Sequence, residues 1–395
     1  MPEIAEVARV VHFLRLHLVG KTIKNVVAAD DTIIFGKVGT TGAAVAAALT
    51  GKKVISAGSQ GKYFWLELDQ APHPVMHLGM TGWVHIKGQR TSYTSYYKKQ
   101  KAEEEGQWPP RFWKFHLETE APAVEVAFTD PRRLGRVRLV DCPGKDIRKY
   151  SPLVENGPDP VVDTDIFTEE FLRQKMKSRH VPIKALLLDQ TTLSGIGNWV
   201  GDEVLYQAKL HPEQYCDEFN DAQTKKLYES IRYVCQVSVD KLGDSEEFPK
   251  DWMFHYRWAN RPSAPTSHLP NGEKLAFLKV GGRTSCYAPG VQKKSGHVAP
   301  GVKEEPIVSD SEGEEKKRKT KKNTKSKARH EVKEEKSEDD GEEQQPRKKK
   351  RKAGNPVTNK AQATEAKTSK TPDTLQQPNG GGGGRRSGRL SGKAA

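Results

Sequence analysis

Apolar residues fall at helical spacing from the first turns of the chain. Ile4, Val7, Val11, Leu14 and Leu18 share one face, and Gly20 supplies a stop. The pattern then changes to strand spacing. Residues 21–69 read as strands around a short alanine-rich helix over Ala43–Leu49, with Val54–Ala57 and Tyr63–Leu68 flanking a turn at Gly58-Ser59-Gln60-Gly61. The spacing predicts one further strand through Val75–Trp83 and others at Phe112–Glu118 and Ala123–Thr129. Between them residues 91–111, rich in Tyr, Lys and Glu, form a polar surface insertion to which the sequence assigns no role. Asn156-Gly157-Pro158-Asp159-Pro160 marks a boundary. Beyond it the spacing is helical over Thr168–Lys177, Pro182–Leu188, Asn198–Gln207 and Ala222–Leu242. Residues 248–258 are the most aromatic stretch, and 275–287 read as two short strands around Gly281-Gly282-Arg283. Strands followed by helices predict an α+β protein. Its units are expected at 1–150 (strand-rich), 151–242 (helical), 243–298 (aromatic stretch and hairpin) and 299–395 (tail).

Charge sharpens that division. The 395 residues carry a net charge of +14, which favours a polyanionic partner. Residues 301–395 hold 25 Lys and Arg against 16 Asp and Glu, so +9 of the total sits there, without a single Phe, Trp or Tyr. A segment of that composition cannot bury enough apolar surface to offset its chain entropy, and the tail is expected to be disordered. Cys142, Cys216, Cys235 and Cys286 lie far apart with no CxxC pair, which argues against a disulfide framework and a cysteine zinc site. No apolar run approaches membrane length and no secretory signal opens the chain, so a soluble protein of a reducing compartment is expected, with no membrane partner.

The chemistry concentrates at the start. Removal of Met1 would leave Pro2 as a free secondary amine, which attacks a sugar C1′ and gives a cationic iminium directly. Terminal amines titrate at about 7.7–8.0, so a useful fraction is unprotonated near neutrality. Glu3 is placed to move protons beside it, and its carboxyl is expected to serve chemistry and not the fold. A proline and two glutamates in a first turn are also an ordinary helix start, so the motif does not stand alone. Lys62, after a hairpin turn, is either a phosphate contact or an ordinary exposed lysine. Asp130-Pro131-Arg132-Arg133-Leu134 reads as a basic loop tip with an apolar wedge, or as a solvated arginine pair. Gly195-Ile196-Gly197-Asn198 opens a helix that Asn198 could cap, with backbone N–H groups available to a phosphate. Arg257 and Arg283 with the nearby aromatics could meet nucleic acid, while the tryptophans are expected in a small hairpin core.

In order, Pro2-Glu3, Gly61-Lys62, His77-Leu78-Gly79-Met80-Thr81-Gly82, Asp130-Pro131-Arg132-Arg133, Gly157-Pro158-Asp159-Pro160, Ile183-Lys184, Gly195-Ile196-Gly197-Asn198 and His211-Pro212 run through the chain. This ordered set, from residue 2 to about 293, resembles the formamidopyrimidine-DNA glycosylase family, which includes the endonuclease VIII-like enzymes. The resemblance implies a β-sandwich lobe with a leading helix, a helical lobe with a helix–two-turns–helix, and a β-hairpin finger, with damaged double-stranded DNA in the cleft between the lobes. It implies that Pro2 attacks C1′, that Glu3 protonates the sugar oxygen and that Lys62 meets a phosphate flanking the lesion. Met80, Arg132 and Leu134 would fill the space of the everted nucleotide, with Arg133 on the backbone. Asn198 and Arg283 would grip phosphates, and Lys184, Glu203 and Glu6 match further family positions near the site, of which Lys184 and Glu203 are expected in the DNA-binding set.

The departures carry information as well. Leu134 stands where bacterial relatives have Phe, and Gly281-Gly282-Arg283-Thr284 resembles the zincless finger of plant and fungal members, so no metal and no cofactor are expected. The long loop that bacterial relatives place ahead of the finger is missing, since only Gly243–Glu247 precede the aromatic stretch. The implied function is a bifunctional glycosylase and abasic-site lyase of base-excision repair, acting by β,δ-elimination on oxidised purines. The alternatives are an endonuclease VIII-like preference for oxidised pyrimidines and an inactive damaged-DNA-binding protein. A monomer is expected. The lysine-rich runs Lys316–Lys319 and Arg347–Lys352 predict a nuclear location and a tail that contacts import or repair proteins.

Overall fold

The computed structural model describes residues 2–92, 106–258 and 268–297. The tail, with its import-type runs, lies outside the described residues. Helix α1 (Ile4–His17) leads into two four-stranded antiparallel sheets. One has the order β1 (Ile23–Ala28), β6 (Trp113–Thr119), β7 (Glu125–Thr129), β5 (Trp83–Ile86). The other runs β2 (Val54–Gln60), β3 (Tyr63–Leu68), β4 (His73–His77), β8 (Arg136–Val140). Their inner faces share one core with α1 and α2 (Gly42–Leu49), including Phe64, Met76, Phe115, Phe128 and Val137. The expected strand through Val75–Trp83 is in fact two strands in different sheets, β4 and β5. The chain leaves one sheet at His77 and re-enters the other at Trp83, and the loop between carries Met80. The first hairpin also turns later than its glycine suggests. Gln60 pairs with Tyr63, so Gly61 and Lys62 form the two-residue turn and Gly58 stays in the strand.

A second core belongs to the helices. Helix α3 (Glu169–Lys177) is capped by Thr168, whose hydroxyl accepts from the Phe171 amide at 3.1 Å. Helix α4 (Ile183–Leu188), two consecutive turns over residues 189–197 and helix α5 (Asn198–Ala208) form the helix–two-turns–helix, against which α6 (Asp221–Asp240) packs. Asn220 opens α6 with a reciprocal cap to Gln223. Trp252, expected in a hairpin core, is fully buried in this helical core instead, edge-on to Tyr233 and tilted against Phe248. The hairpin β9 (Ala276–Val280) and β10 (Arg283–Tyr287) packs its own small cluster with Tyr206 and Met253.

Helix α1 belongs to both cores. Ile4 and Ala5 lie in the helical cluster, whereas Val7, Val10, Val11 and Leu14 lie between the sheets. The Ile4 amide donates to the Gly195 carbonyl at 3.1 Å, which docks the start of the chain on the turns before α5. A second clasp forms where the Gly61 amide donates to Asp159 at 2.8 Å. Gly61 has φ +59° there, and a Cβ would meet Ser194 at 2.5 Å, so this close approach needs glycine. Arg148 adds a fork to Asp163, at 2.8 and 2.6 Å.

Candidate active site

Pro2 is buried and forms part of the wall of a cavity of about 720 Å³, together with Glu6 and Met80. Glu3, one residue on, is anchored on the start of α5. Its carboxylate accepts from the amides of Gly197 (2.9 Å), Trp199 (3.0 Å) and Val200 (3.0 Å), the open N–H groups at the start of α5. This corrects two expectations. The anion on that helix start is Glu3 and not a phosphate, and Asn198 does not cap the helix, because Gly197 holds the cap position. The fold does use the Glu3 carboxyl, since a charged acceptor satisfies N–H groups that would otherwise be orphaned. Glu3 is itself only 2% exposed, so the chain is fixed at the residue directly after Pro2.

Glu6 completes the turn by accepting from the Glu3 amide at 2.8 Å. Burial and the neighbouring Glu3 charge push its carboxyl up to about 7, so a proton-exchanging group stands on the cavity wall near neutrality. Lys62 makes no hydrogen bond with any described residue. Burial lowers its ammonium, and its near charges are Glu3, Arg283, Glu6 and Lys184. The hairpin turn, the N-terminal residues and the finger arginine thus share one electrostatic neighbourhood. Asn198 joins it by donating from Nδ2 to the Thr284 carbonyl of the finger at 2.9 Å, while its Oδ1 is buried with no partner.

The wedge residues form a second group. Asp130 is fully buried and accepts from the Thr81 hydroxyl (2.6 Å) and from the amides of Arg132 (3.1 Å) and Gly135 (2.6 Å). It therefore ties the loop bearing Met80 to the loop bearing Arg132 and Leu134, both of which are exposed. The guanidinium of Arg133, expected on the DNA backbone, grips both oxygens of Asp31 at 2.9 Å. Burial opposes ionisation of Asp31. The Arg133 fork, the Ile34 and Ile33 amides and Lys114 override it and hold the carboxyl well below the usual range.

Two members of the expected DNA-binding set are buried within the helical lobe. Lys184 is 0% exposed, with Nζ on Asp202 (2.6 Å) and on the Asn198 carbonyl (2.7 Å). Asp202 also accepts from Arg257 at 2.5 Å and from the Cys286 amide at 3.3 Å. Arg257, a candidate for nucleic acid, is likewise buried here. Glu203 is buried too, accepting from Gln207 (2.7 Å) and the Phe254 amide (2.8 Å), and burial pushes its carboxyl up to about 7. A buried ion pair or carboxyl shapes the lobe from within and has no face to offer a phosphate. Among the described residues no group of three or more His, Cys, Asp and Glu is arranged to hold a metal.

The sequence reading missed Asp130, Asp202 and His77. Burial first, then Lys62, Arg136 and Arg138, pushes the His77 ring down to about 4, so it is neutral at pH 7. The Gly79 amide donates to Nδ1 at 2.9 Å, which places the ring proton on Nε2. The strand-end position of His77, just before Gly79, was the available signal.

Comparison with known proteins fits this geometry. Residues 1–137 match the model of the formamidopyrimidine-DNA glycosylase N-terminal domain, and 156–249 match that of the formamidopyrimidine-DNA glycosylase H2TH domain. A formamidopyrimidine-DNA glycosylase of Arabidopsis thaliana is 38% identical over 299 residues, spanning 75% of this chain and 72% of the relative. The chain belongs to the formamidopyrimidine-DNA glycosylase family. Another family member of that name, from Pelotomaculum thermopropionicum, is 31% identical and is covered over 82% of its length. The fold is shared with Lactococcus lactis formamidopyrimidine-DNA glycosylase bound to DNA containing an abasic site. That structure superposes with a TM-score of 0.60 at 23% identity, over 74% of this chain and 100% of the other. The family's sheet lobe and helix–two-turns–helix lobe are both present here.

Proposed function

We propose that this family DNA glycosylase is bifunctional, removing an oxidised base through a Schiff base at Pro2 and then cleaving the strand at the abasic site. The observation that carries the reading is the placement of Pro2 on the wall of a 720 Å³ cavity, with Glu6 on the same wall and Glu3 and Lys62 close by. Once Met1 is removed, the Pro2 nitrogen attacks C1′, the glycosidic bond breaks, and the base leaves with a proton. Opening of the sugar ring transfers the C1′–O4′ bonding pair to O4′, which takes the proton lost by the Pro2 nitrogen as Glu3 relays it, and leaves the iminium between Pro2 and C1′. Loss of a C2′ proton then expels the 3′ phosphate, and a second elimination expels the 5′ phosphate. His77, with Nε2–H, and Lys62, Asn198 and Arg283 are suited to the flanking phosphates. Met80, Arg132 and Leu134 would offset the few kcal/mol that base eversion costs.

Borohydride trapping tests the reading. Protein lacking Met1 should form a covalent adduct with duplex carrying an abasic site or a formamidopyrimidine, and protein retaining Met1 should form none, because its Pro2 nitrogen is a tertiary amide. Full trapping with Met1 in place would remove Pro2 from the mechanism. Ring-opened purines and hydantoins should be excised faster than 8-oxoguanine, because the chain between α6 and the aromatic stretch is a compact turn at Ser245–Glu247 with nothing long enough to fold over a bicyclic base. The tail's lysine-rich runs are read as nuclear-import signals and DNA tethers, and the enzyme as a monomer on its substrate.

A further inference from the structure

Three strands of one sheet end side by side at the wedge. Thr129 of β7 pairs with Trp83 of β5 on one side and with Trp113 of β6 on the other, so these three residues form one rung. One step past it stand Gly82, Asp130 and Phe112. The Asp130 amide donates to the Phe112 carbonyl at 3.1 Å, which carries the pairing of β6 and β7 one residue beyond the strands. Beyond that rung the first segment holds Met80, the second Arg132 and Leu134, and the third Arg111. The first two supply the proposed wedge. The third carries an aromatic ring that no step of the reaction uses. Phe112 is 45% exposed. Its φ is +65°, a left-handed conformation that a bulky residue seldom holds and that costs energy. The Arg111 guanidinium carbon lies over the ring, 4.5 Å from its centroid, so a cation holds one face of it.

We propose that Phe112 stacks on the base left unpaired opposite the lesion once the damaged nucleotide is everted, and so reads the undamaged strand. The inference rests on the glycosylase reading above and concerns the other strand of the duplex. Lys62 and His77, the proposed phosphate contacts beside the lesion, lie at the turn before β3 and at the end of β4, and the chain passes from His77 through Met80 directly into β5. Strand β6 lies on the far side of β7 from β5. Phe112 therefore stands two strand spacings, about 10 Å, across the sheet end from the segment that carries Met80. The lesion strand is held on the Met80 side, so a ring displaced across the sheet end faces the partner strand. Leu134, the other exposed apolar side chain at this end, is branched and aliphatic and offers no flat surface. An orphaned base presents a π-face, and an aromatic ring matches it whatever the base.

The test measures binding of the full-length protein to two duplexes that carry a tetrahydrofuran abasic analogue, one with cytosine opposite and one with a second baseless site opposite. Phe112→Asn removes the ring, and asparagine accepts the left-handed backbone. It should weaken binding to the cytosine-opposed duplex about tenfold and leave the other within about twofold of the parent. Phe112→Tyr, which keeps the ring face, should match the parent on both. Equal losses by Phe112→Asn on the two duplexes would assign the ring to the sugar–phosphate backbone or to the fold, and overturn the proposal. No loss on either duplex would also overturn it, and is the result expected of a ring that serves the everted base, which neither duplex contains. Failure of the unmodified protein to prefer the tetrahydrofuran duplexes over undamaged duplex is a separate outcome that strikes the glycosylase reading itself.

Discussion

Glu3 shows how one side chain can serve two ends. Its three amide bonds fill the open start of α5, and the same carboxylate is the proposed acid for the sugar oxygen. Replacement by Gln turns one acceptor into an NH2 group facing backbone N–H donors. Glu3→Gln should therefore lower folding stability by about 1–2 kcal/mol, the scale of a lost cap, and also slow base excision. Urea unfolding would measure the first effect and single-turnover kinetics the second. A fully stable but inactive variant would mean that the amide bonds contribute nothing to folding. The residue identities around the site were legible because the motifs are local. What they touch was not, because Glu3 and Gly197 are 194 positions apart and only folding makes them neighbours. The burial of Lys184 and Glu203 was illegible for the same reason, since a charged residue on a helix shows no sign in sequence of which way it faces.

At the scale of elements, helix bounds were readable to within a residue or two from periodicity and caps, as with Thr168 before α3. Strand pairing was less so. The apolar run from Val75 to Trp83 has no feature that announces a change of sheet, and only the tertiary fold splits it. The hairpin of β9 and β10 needs a fixed base to hold Arg283 at the site. Asp202 supplies it, joining Lys184 of α4, Arg257 of the aromatic stretch and the Cys286 amide of β10. Removing one member of such a network strands the others, at a cost of about 3–5 kcal/mol. Asp202→Asn should lower the thermal midpoint and weaken binding to lesion duplex, while a chelator should change neither quantity in the parent protein. A chelator-induced loss, read by calorimetry, would show that a metal helps hold the finger.

Across the whole molecule, charge and catalysis are separated along the chain. The last 95 residues carry +9 with no aromatic side chain, a composition suited to a phosphate backbone. A protein ending at residue 298 should keep its single-turnover excision rate while binding undamaged duplex more weakly, with a shallower dependence on salt. Equal salt slopes for the two lengths would show that the tail does not touch DNA. Helix α1, finally, has its first turn in one core and the rest in the other. That arrangement has a consequence in time. The groups that receive Ile4 and Glu3, Gly195 and the start of α5, are synthesised almost two hundred residues after Pro2. At about 5–20 residues per second the nascent terminus has no place to dock for roughly ten seconds or more. An aminopeptidase acting in that interval would meet an open end, so the proposed exposure of the proline amine would precede the fold that encloses it.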